Sequence, residues 1–487
     1  MIAMLLLASA MGGWQPPGIS RTQAESAPTI AGMIAAAAAP AQRTERWTYH
    51  NGALVIPVDV AVRDADFRVG FMLQGLPYAS GRYHQTHWRS NGNGVAHATQ
   101  ADLQGDAADH VPDAPFAIDA HDCRLIGQRD GGATLVVEDD EPYDAPRWLF
   151  VDAQTHRITR EIAHEGRRVV TYAFDRGADG ALRGWTVDDG DRTHGVTVTV
   201  DARDAAPVPP AAVAERVADR RTFIGPAGHT MRALKTTFRN DRIWTPVSVN
   251  GHTSQFIIDS GTETLTMDDD SLRRDGMHAT LEHATATSIT VGDETLTDAG
   301  LFTIPFKWGA TGLLGYDWFF GQVVHINYQR ELVEVGDLEA ARAAFDDPKM
   351  VIVPLNTDQS IPFVTAIVDG VSSSSFAIDT GSWQLQIFPP FLDANPDVSA
   401  AWARGVFPSG KVVERDEYLE GSVDVAARRI GSVQLGPIRF TDVTAGMGLP
   451  SSDLKVPFDG IIGTEMLRHY DLWFDYDRGR LGLRPVK

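Results

Sequence analysis

A seven-residue pattern that occurs twice constrains this chain more than any other feature. An apolar run ends in Asp, a hydroxyl residue, Gly and a second hydroxyl residue at Phe256–Thr262, and the same order returns at Phe376–Ser382. The two aspartates, Asp259 and Asp379, lie 120 positions apart. This spacing is expected if a lobe of about 100 residues has been duplicated and the two copies face each other. The pattern therefore predicts a pair of carboxyl groups.

Three further landmarks accompany each copy in the same order. A tight turn precedes the pattern, and two apolar residues framed by glycines follow it and lead into a strand-like stretch. The matching segments are Asn250–Gly251 and Asp369–Gly370 for the turn, Gly312–Gly315 and Gly460–Gly463 for the glycine-framed pair, and His325–Arg330 and Trp473–Arg478 for the strand.

With these landmarks, residues 230–487 resemble the aspartic peptidase superfamily, and in particular bacterial retropepsin-like and pepsin-like proteins that carry both lobes on one chain. The resemblance implies that Asp259 and Asp379 are the catalytic pair. It also implies two supporting sets: Ser260, Gly261, Thr262, Thr380, Gly381 and Ser382 would hold the aspartates, and Leu313, Leu314, Gly315, Ile461, Ile462 and Gly463 would form the structural loops beneath them.

The chemistry of such a pair explains why these residue types are needed. Two adjacent carboxyl groups cannot both ionise cheaply, so they hold one proton between them. The ionised member can take a proton from water while the protonated member hydrogen-bonds the carbonyl oxygen that the water attacks. Neither a cofactor nor a metal is needed for this reaction. We therefore expect an aspartic-type endopeptidase that hydrolyses a peptide or protein substrate.

Two other functions are compatible with the same sequence, because function depends on the site and not on the fold. One is a catalytically inactive module that binds an extended peptide by strand addition. The other is an envelope carrier whose N-terminal domain holds an apolar ligand. Loss of turnover on replacing either aspartate would distinguish the enzyme from both.

The composition narrows the range of partners and cofactors. A formal net charge of −21 disfavours nucleic acid and anionic membrane surfaces. No uninterrupted apolar run reaches the roughly 18 residues of a transmembrane helix, so no span is expected in the mature chain. The histidine pairs His84/His87 and His278/His283 lack a third ligand at a recognisable spacing, and we expect no metal site. We expect a monomer.

The domain organisation follows from shifts in composition. Residues 1–42 contain two apolar runs that end in small residues, Ile2–Ala10 and Ile30–Ala39, and are read as a signal peptide or disordered leader for export to the periplasm or beyond. The predicted fold class is mainly β, a two-lobed aspartic-peptidase double barrel preceded by a separate antiparallel β domain. The predicted boundaries are 43–205 for the β domain, 206–229 for a Pro- and Ala-rich linker open to proteolysis, 230–345 for lobe 1 and 346–487 for lobe 2.

The two lobes differ in the length of one connection. The first aspartate and its later glycine are 56 positions apart, whereas the second pair is 84 apart, which leaves about 28 extra residues between Phe391 and Val425. Long connections of this kind often carry function, so we expect a lid or a specificity loop there. In lobe 1, the shorter interval leaves room for one short hairpin over the cleft, expected around His283–Ser288.

Overall fold

A computed structural model of the chain describes residues 41–84, 86–97, 123–139, 147–165, 168–188, 195–215, 229–306, 309–357, 360–398, 402, 414–417, 422–448 and 458–486. Apart from residues 41 and 42, the predicted leader lies outside these ranges. The described residues divide into two compact units, one within residues 41–91 and 95–215 and the other within residues 92–94 and 229–486. Among the described residues, no helix has the length and apolar character needed to cross a membrane.

The first unit is one antiparallel sheet, which in the described ranges has thirteen strands in the order β6-β5-β4-β3-β2-β1-β13-β12-β11-β10-β9-β8-β7. Alternate residues of β2 are buried, as expected for a strand with one face on a core. That core contains Trp47, Val60, Phe67 and Trp185. The strands are β1 Gln42–Asn51, β2 Leu54–Arg63, β3 Asp66–Leu73, β4 Leu76–Tyr83, β5 Thr86–Asn91, β6 Gly94–His97, β7 Cys123–Arg129, β8 Thr134–Asp139, β9 Arg147–Asp152, β10 Ile158–Glu165, β11 Arg168–Arg176, β12 Leu182–Asp188 and β13 Val196–Asp204, with a short 3₁₀ helix at Asp130–Gly132.

Part of the predicted linker is packed onto this sheet. Residues Pro210–Ala214 form a helix, and the side chains of Val208 and Val213 are buried. Arg63 Nη1 also donates to the carbonyl oxygen of Val208 at 2.7 Å. Two valines therefore anchor a stretch whose Pro and Ala content is typical of linkers, and the susceptibility of residues 206–215 to proteolysis stays a prediction. Residues 216–228 lie outside the described ranges.

The second unit contains two six-stranded barrels with the same strand order. The first runs β16-β17-β21-β18-β20-β19 and closes through β16–β19, and the second runs β25-β26-β31-β27-β30-β29 and closes through β25–β29. The predicted fold class is confirmed by these barrels and the antiparallel sheet that precedes them. The strands are β14 Arg232–Ala233, β15 Thr237–Arg239, β16 Arg242–Val249, β17 His252–Ile258, β18 Leu265–Asp268, β19 His283–Val291, β20 Glu294–Ile304, β21 Gly312–Leu314, β22 Val323–Asn327, β23 Leu332–Gly336, β24 Val351–Pro354, β25 Phe363–Val368, β26 Val371–Ile378, β27 Leu385–Ile387, β28 Glu414–Glu417, β29 Ser422–Leu435, β30 Ile438–Gly448, β31 Gly460–Ile462, β32 Tyr470–Asp475 and β33 Arg480–Pro485.

A third sheet joins the two lobes of the second unit, in the order β14-β23-β22-β32-β33-β24. At its centre β22 of lobe 1 pairs antiparallel with β32 of lobe 2, so that His325 faces Trp473 across the ladder. One buried apolar cluster continues from both barrels into this sheet. The helices of the unit that lie wholly within the described ranges include Asp269–Arg274, Tyr316–Phe319, Leu338–Phe345, Pro389–Ala394 and Thr464–Leu467, with a 3₁₀ helix at Tyr476–Arg478.

The two expectations about cleft-covering segments have different outcomes. Residues His283–Ser288 lie in β19, which forms an antiparallel hairpin with β20 that turns after Val291. A hairpin is thus present, but it is longer than expected, and the expected residues form its first strand. They alternate between buried and more exposed positions, which is the pattern of a barrel strand. That this hairpin covers the cleft stays a prediction. In lobe 2, β28 pairs with the first residues of β29, from Glu414–Val425 to Glu417–Ser422. Much of the extra connection lies outside the described ranges, and its role as a lid stays a prediction.

The packing of Val213 can be tested by limited proteolysis. A Val213→Asp substitution buries a charge and should release the helix from the sheet, whereas Ala211→Asp places the same charge at an exposed position of the same helix. We expect cleavage within residues 206–215 to accelerate at least about tenfold in Val213→Asp, because about 1.4 kcal/mol of destabilisation raises the open population by that factor. Equal cleavage rates in the two variants, followed by mass spectrometry, would contradict the packed segment.

Candidate active site

Each predicted aspartate directly follows the buried end of a barrel strand. Asp259 follows β17 and Asp379 follows β26. The glycine-framed strands pair in parallel with the strands that precede the aspartates, β21 with β17 and β31 with β26. The Asp259 amide donates to the carbonyl oxygen of Leu314 at 3.1 Å, and the Asp379 amide donates to that of Ile462 at 3.2 Å. The two repeated landmarks are thus adjacent in space within each lobe.

The two aspartate loops, residues 259–262 and 379–382, are joined by four hydrogen bonds that Ser260 and Thr380 make reciprocally, two with each other and two with the strand that precedes the opposite loop. The Ser260 hydroxyl donates to the Ile378 carbonyl oxygen at 2.8 Å, and the Thr380 hydroxyl donates to the Ile258 carbonyl oxygen at 3.0 Å. Each hydroxyl also accepts the backbone amide of the other residue at 3.0 Å. Both side chains are fully buried. The hydroxyl residue after each aspartate is therefore hydrogen-bonded to the opposite lobe.

The next residue of each loop is a glycine for a steric reason. A Cβ on Gly261 would lie 2.6 Å from Asp379 Oδ2, and a Cβ on Gly381 would lie 2.5 Å from Asp259 Oδ2. Both separations are far shorter than a real carbon contact. Each carboxyl group consequently rests against the backbone of the opposite loop, an approach that only glycine permits.

The predicted structural loops lie beneath the aspartate loops. Leu313, Leu314, Ile461 and Ile462 are all buried. Gly463 has no room for a side chain, because a Cβ there would lie 2.6 Å from the Trp383 carbonyl oxygen. Gly315 is constrained in the same way by the carbonyl oxygens of Thr262 and Thr264. The residues that follow these glycines complete the support, since the Tyr316 amide donates to Thr262 O at 2.8 Å and the Thr464 amide to Ser382 O at 2.9 Å.

Backbone amides orient both carboxyl groups. Asp259 Oδ1 accepts the Gly261 amide at 2.9 Å, while Asp379 Oδ1 accepts the amides of Gly381 at 2.7 Å and Ser382 at 3.1 Å. The Thr262 hydroxyl adds a hydrogen bond to Asp259, and the two carboxyl groups hydrogen-bond each other. The Oδ1 atom of each aspartate is thus anchored by the backbone of its own loop, and the two carboxyl groups also bond across the lobes.

Burial controls the protonation of the pair. Removal from solvent raises the pKa of Asp259, although its hydrogen bonds and the nearby Arg242 guanidinium oppose the rise. Burial raises the pKa of Asp379 well above its usual value, and the negative charge of Asp259 raises it further. Because each charge opposes the other, the pair titrates as a unit that keeps one proton over a range of pH in which isolated aspartates are ionised.

Two tyrosines near the pair were not selected from the sequence. Tyr328 and Tyr476 occupy matching positions of the repeat, immediately after the central strands β22 and β32. Burial raises the pKa of each phenol, and the negative charges of both aspartates contribute to the rise. Tyr476 also stacks on Tyr316, with ring centroids 5.6 Å apart. The signal that could have found them is the repeat itself, since each matching strand is followed by Tyr.

The histidine pairs provide no comparable arrangement. Within the described ranges, no three His, Cys, Asp or Glu side chains are grouped so that they could hold a metal ion. The His87 side chain lies outside the described part of the chain. Burial lowers the pKa of His283, which lies in the barrel strand β19.

Among known proteins, similarity to this chain is found in solved structures only. No family model matches the chain, and no curated protein matches it. Similar solved structures include a retropepsin-like aspartic protease from Rickettsia conorii, 20% identical over 28% of this chain and 90% of that one, with a TM-score of 0.21. An aspartic proteinase from Irpex lacteus is 13% identical over 53% and 98%, with a TM-score of 0.36. Basic 7S globulin from soybean is 12% identical over 53% and 96%, with a TM-score of 0.34.

The reciprocal hydrogen bonds can be tested by stability measurements on Ser260. A Ser260→Ala substitution removes the partners of the Thr380 amide and the Ile378 carbonyl oxygen, each of which costs about 1–3 kcal/mol when buried unpaired. We expect urea denaturation to show a loss of about 2–5 kcal/mol in the free energy of unfolding of the second unit. Thr380→Ser is the matched control, because it keeps the hydroxyl and should cost less than about 1.5 kcal/mol. A Ser260→Ala loss no larger than the control's would be evidence against the reciprocal bonds.

The raised pKa values of the aspartates predict the sign of a stability change with pH. Above the usual carboxyl pKa of 3.8 the folded pair still binds a proton that the unfolded chain has released, so stability falls as the pH rises through the folded pKa. The Asp379→Asn variant lacks this loss. Its stability relative to the wild type should therefore increase by at least about 1.4 kcal/mol between about pH 4 and pH 7, the equivalent of one pKa unit.

The control for this measurement is Asp442→Asn, which removes an exposed carboxylate whose pKa is lowered by Arg429. That variant should show no gain in relative stability as the pH rises. A flat difference between the wild type and Asp379→Asn over the same interval would mean that the aspartate pair does not retain a proton.

Proposed function

We propose that the chain is an aspartic-type endopeptidase that hydrolyses peptide bonds with a water molecule activated by Asp259 and Asp379. The observation that carries the proposal is the meeting of two half-buried carboxyl groups, one from each repeat, in equivalent loops that bond reciprocally. The two carboxyl groups hydrogen-bond each other, and the pKa of each is raised even though the Arg242 charge lowers that of Asp259.

The proposed reaction uses the shared proton. The ionised carboxylate accepts a proton from water, and the resulting hydroxide attacks the carbonyl carbon of the scissile bond. The protonated carboxyl group donates to the carbonyl oxygen, which stabilises the charge that develops there. Collapse of the tetrahedral intermediate breaks the C–N bond while a carboxyl group delivers a proton to the leaving amine. The Arg242 charge favours Asp259 as the member that is ionised at the start.

The substrate in this proposal is an extended segment of peptide or protein bound between the two lobes. The two apolar runs of the leader, Ile2–Ala10 and Ile30–Ala39, support export to the periplasm or the extracellular space as the place of action. A monomer is sufficient for activity, because both aspartates belong to one chain. The proposed domains are a β domain at 43–205, a linker at 206–229, lobe 1 at 230–345 and lobe 2 at 346–487.

The proposal is tested by cleavage of a mixed peptide library with the purified chain from about residue 43 onward. We expect turnover by the wild type and a loss of at least about 10³-fold in kcat/KM in both Asp259→Asn and Asp379→Asn, because either change removes an acid or base from the pair. Asp459→Asn is the matched control, since burial also raises the pKa of Asp459 but its hydrogen bond is to Ser373. It should retain most of the activity.

Two results would contradict the proposal. Turnover that survives both substitutions would place the chemistry elsewhere in the chain. Binding of library peptides by the wild type without turnover at any pH would instead favour the peptide-binding module.

A further inference from the structure

The strongest unassigned feature is a pocket beside the second aspartate loop. Its volume is about 330 Å³, and neither Asp259 nor Asp379 lines it. One wall is the hairpin formed by β15 and β16 of lobe 1, which contributes Arg239 and Arg242. The opposite wall comes from lobe 2 and contains Trp383 and Arg468. The pocket is thus built by both lobes.

The pocket adjoins the candidate active site through the backbone of the second aspartate loop. Arg242 Nε donates to the carbonyl oxygen of Gly381 at 3.4 Å, and Trp383 is the second residue after Gly381. An extended peptide that passes the aspartates could therefore place a side chain here. Because the aspartates are not in its walls, the pocket would receive a residue at some distance from the scissile bond.

Two of the arginines are positioned by aromatic rings and not by carboxylates. The Arg239 guanidinium lies 4.2 Å from the centre of the Trp244 ring, and the Arg468 guanidinium lies 5.4 Å from that of Trp383. In the described part of the chain neither arginine forms a salt bridge. A guanidinium over a ring keeps its N–H donors available at the edge, and those donors suit a carboxylate.

The hairpin also places two positive charges in direct opposition. Arg239 and Arg242 are paired across the β15–β16 ladder. Like charges at directly opposed positions destabilise a sheet, so an anion bound between them would relieve their repulsion. The same walls carry the carboxylates of Asp241 and Glu331, which leaves an excess of positive charge from three arginines in a chain whose net charge is −21.

The position of lobe 1 that matches Trp383 in the repeat carries an acidic residue in place of an aromatic one. Trp383 is four residues after Asp379, and the residue four positions after Asp259 is Glu263. Trp383 is 36% exposed, so part of its surface is accessible to a ligand. The two ends of the site are therefore chemically different, although the aspartates themselves are related by the repeat.

We propose that this pocket is a substrate subsite that selects an acidic side chain, with Arg239, Arg242 and Arg468 binding its carboxylate and Trp383 packing against its apolar atoms. The inference rests on the proposed peptidase function and specifies the class of peptide that the enzyme prefers. Charge-assisted hydrogen bonds from arginine are strong enough to make such a preference measurable.

The test uses one cleaved peptide from the library as a scaffold. At each of the four positions on either side of the scissile bond, Glu is compared with Gln by measuring kcat/KM. At one position we expect the Glu peptide to be preferred at least about tenfold, the equivalent of about 1.4 kcal/mol. Arg239→Gln and Arg468→Gln should each reduce this preference to less than about threefold, mainly through a higher KM for the Glu peptide.

The control is Arg273→Gln, which removes one exposed positive charge from the helix Asp269–Arg274, outside the pocket. It should keep the full preference for Glu. Cleavage without a preference for Glu at any position, or a preference unaffected by both pocket variants, would overturn the subsite and leave the peptidase function intact. Failure of the wild type to cleave any library peptide would overturn the peptidase function and the subsite with it.

Discussion

The reciprocal hydrogen bonds between Ser260 and Thr380 are the constraint on which the rest of the site depends. They are fully buried, and each hydroxyl both donates to the opposite strand and accepts from the opposite loop. Neither lobe can shift relative to the other without leaving buried polar groups unpaired, which is costly in a dry interior. The sheet centred on β22 and β32 holds the same two lobes from another side, so the separation of the aspartates is fixed by the fold.

This rigidity makes the chemistry of the carboxyl pair possible. Two acids forced together by the packing would separate or become solvated if the loops were free to move. Gly261 and Gly381 let each carboxyl group approach the opposite backbone, and burial then raises both pKa values. The repulsion and desolvation of the two carboxyl groups destabilise the folded state. Raised pKa values that arise in this way are typical of groups that act as acid or base catalysts.

The repeat allowed much of this site to be predicted from the sequence, because a duplicated pattern predicts both local structure and the meeting of distant residues. The repeat could also have identified Tyr328 and Tyr476 from the sequence, because each follows the matching strand of its lobe. Other features depend on particular packing contacts. Val208 and Val213 convert a linker-like composition into a docked segment, and pairing within the barrel makes the β19–β20 hairpin longer than spacing alone suggested. The arginine-lined pocket could not be anticipated, since its walls come from segments far apart in sequence.

Asp259 and Asp379 are proposed to act as one proton-sharing pair, and the pH dependence of kcat/KM distinguishes such a pair from two independent carboxylates. We expect a bell-shaped profile with its maximum in mildly acidic solution, because activity requires one proton on the pair and is lost when the pair gains a second or releases the first. A profile that rises steadily above neutral pH would be evidence against the pair, since it would show that the active form carries no shared proton.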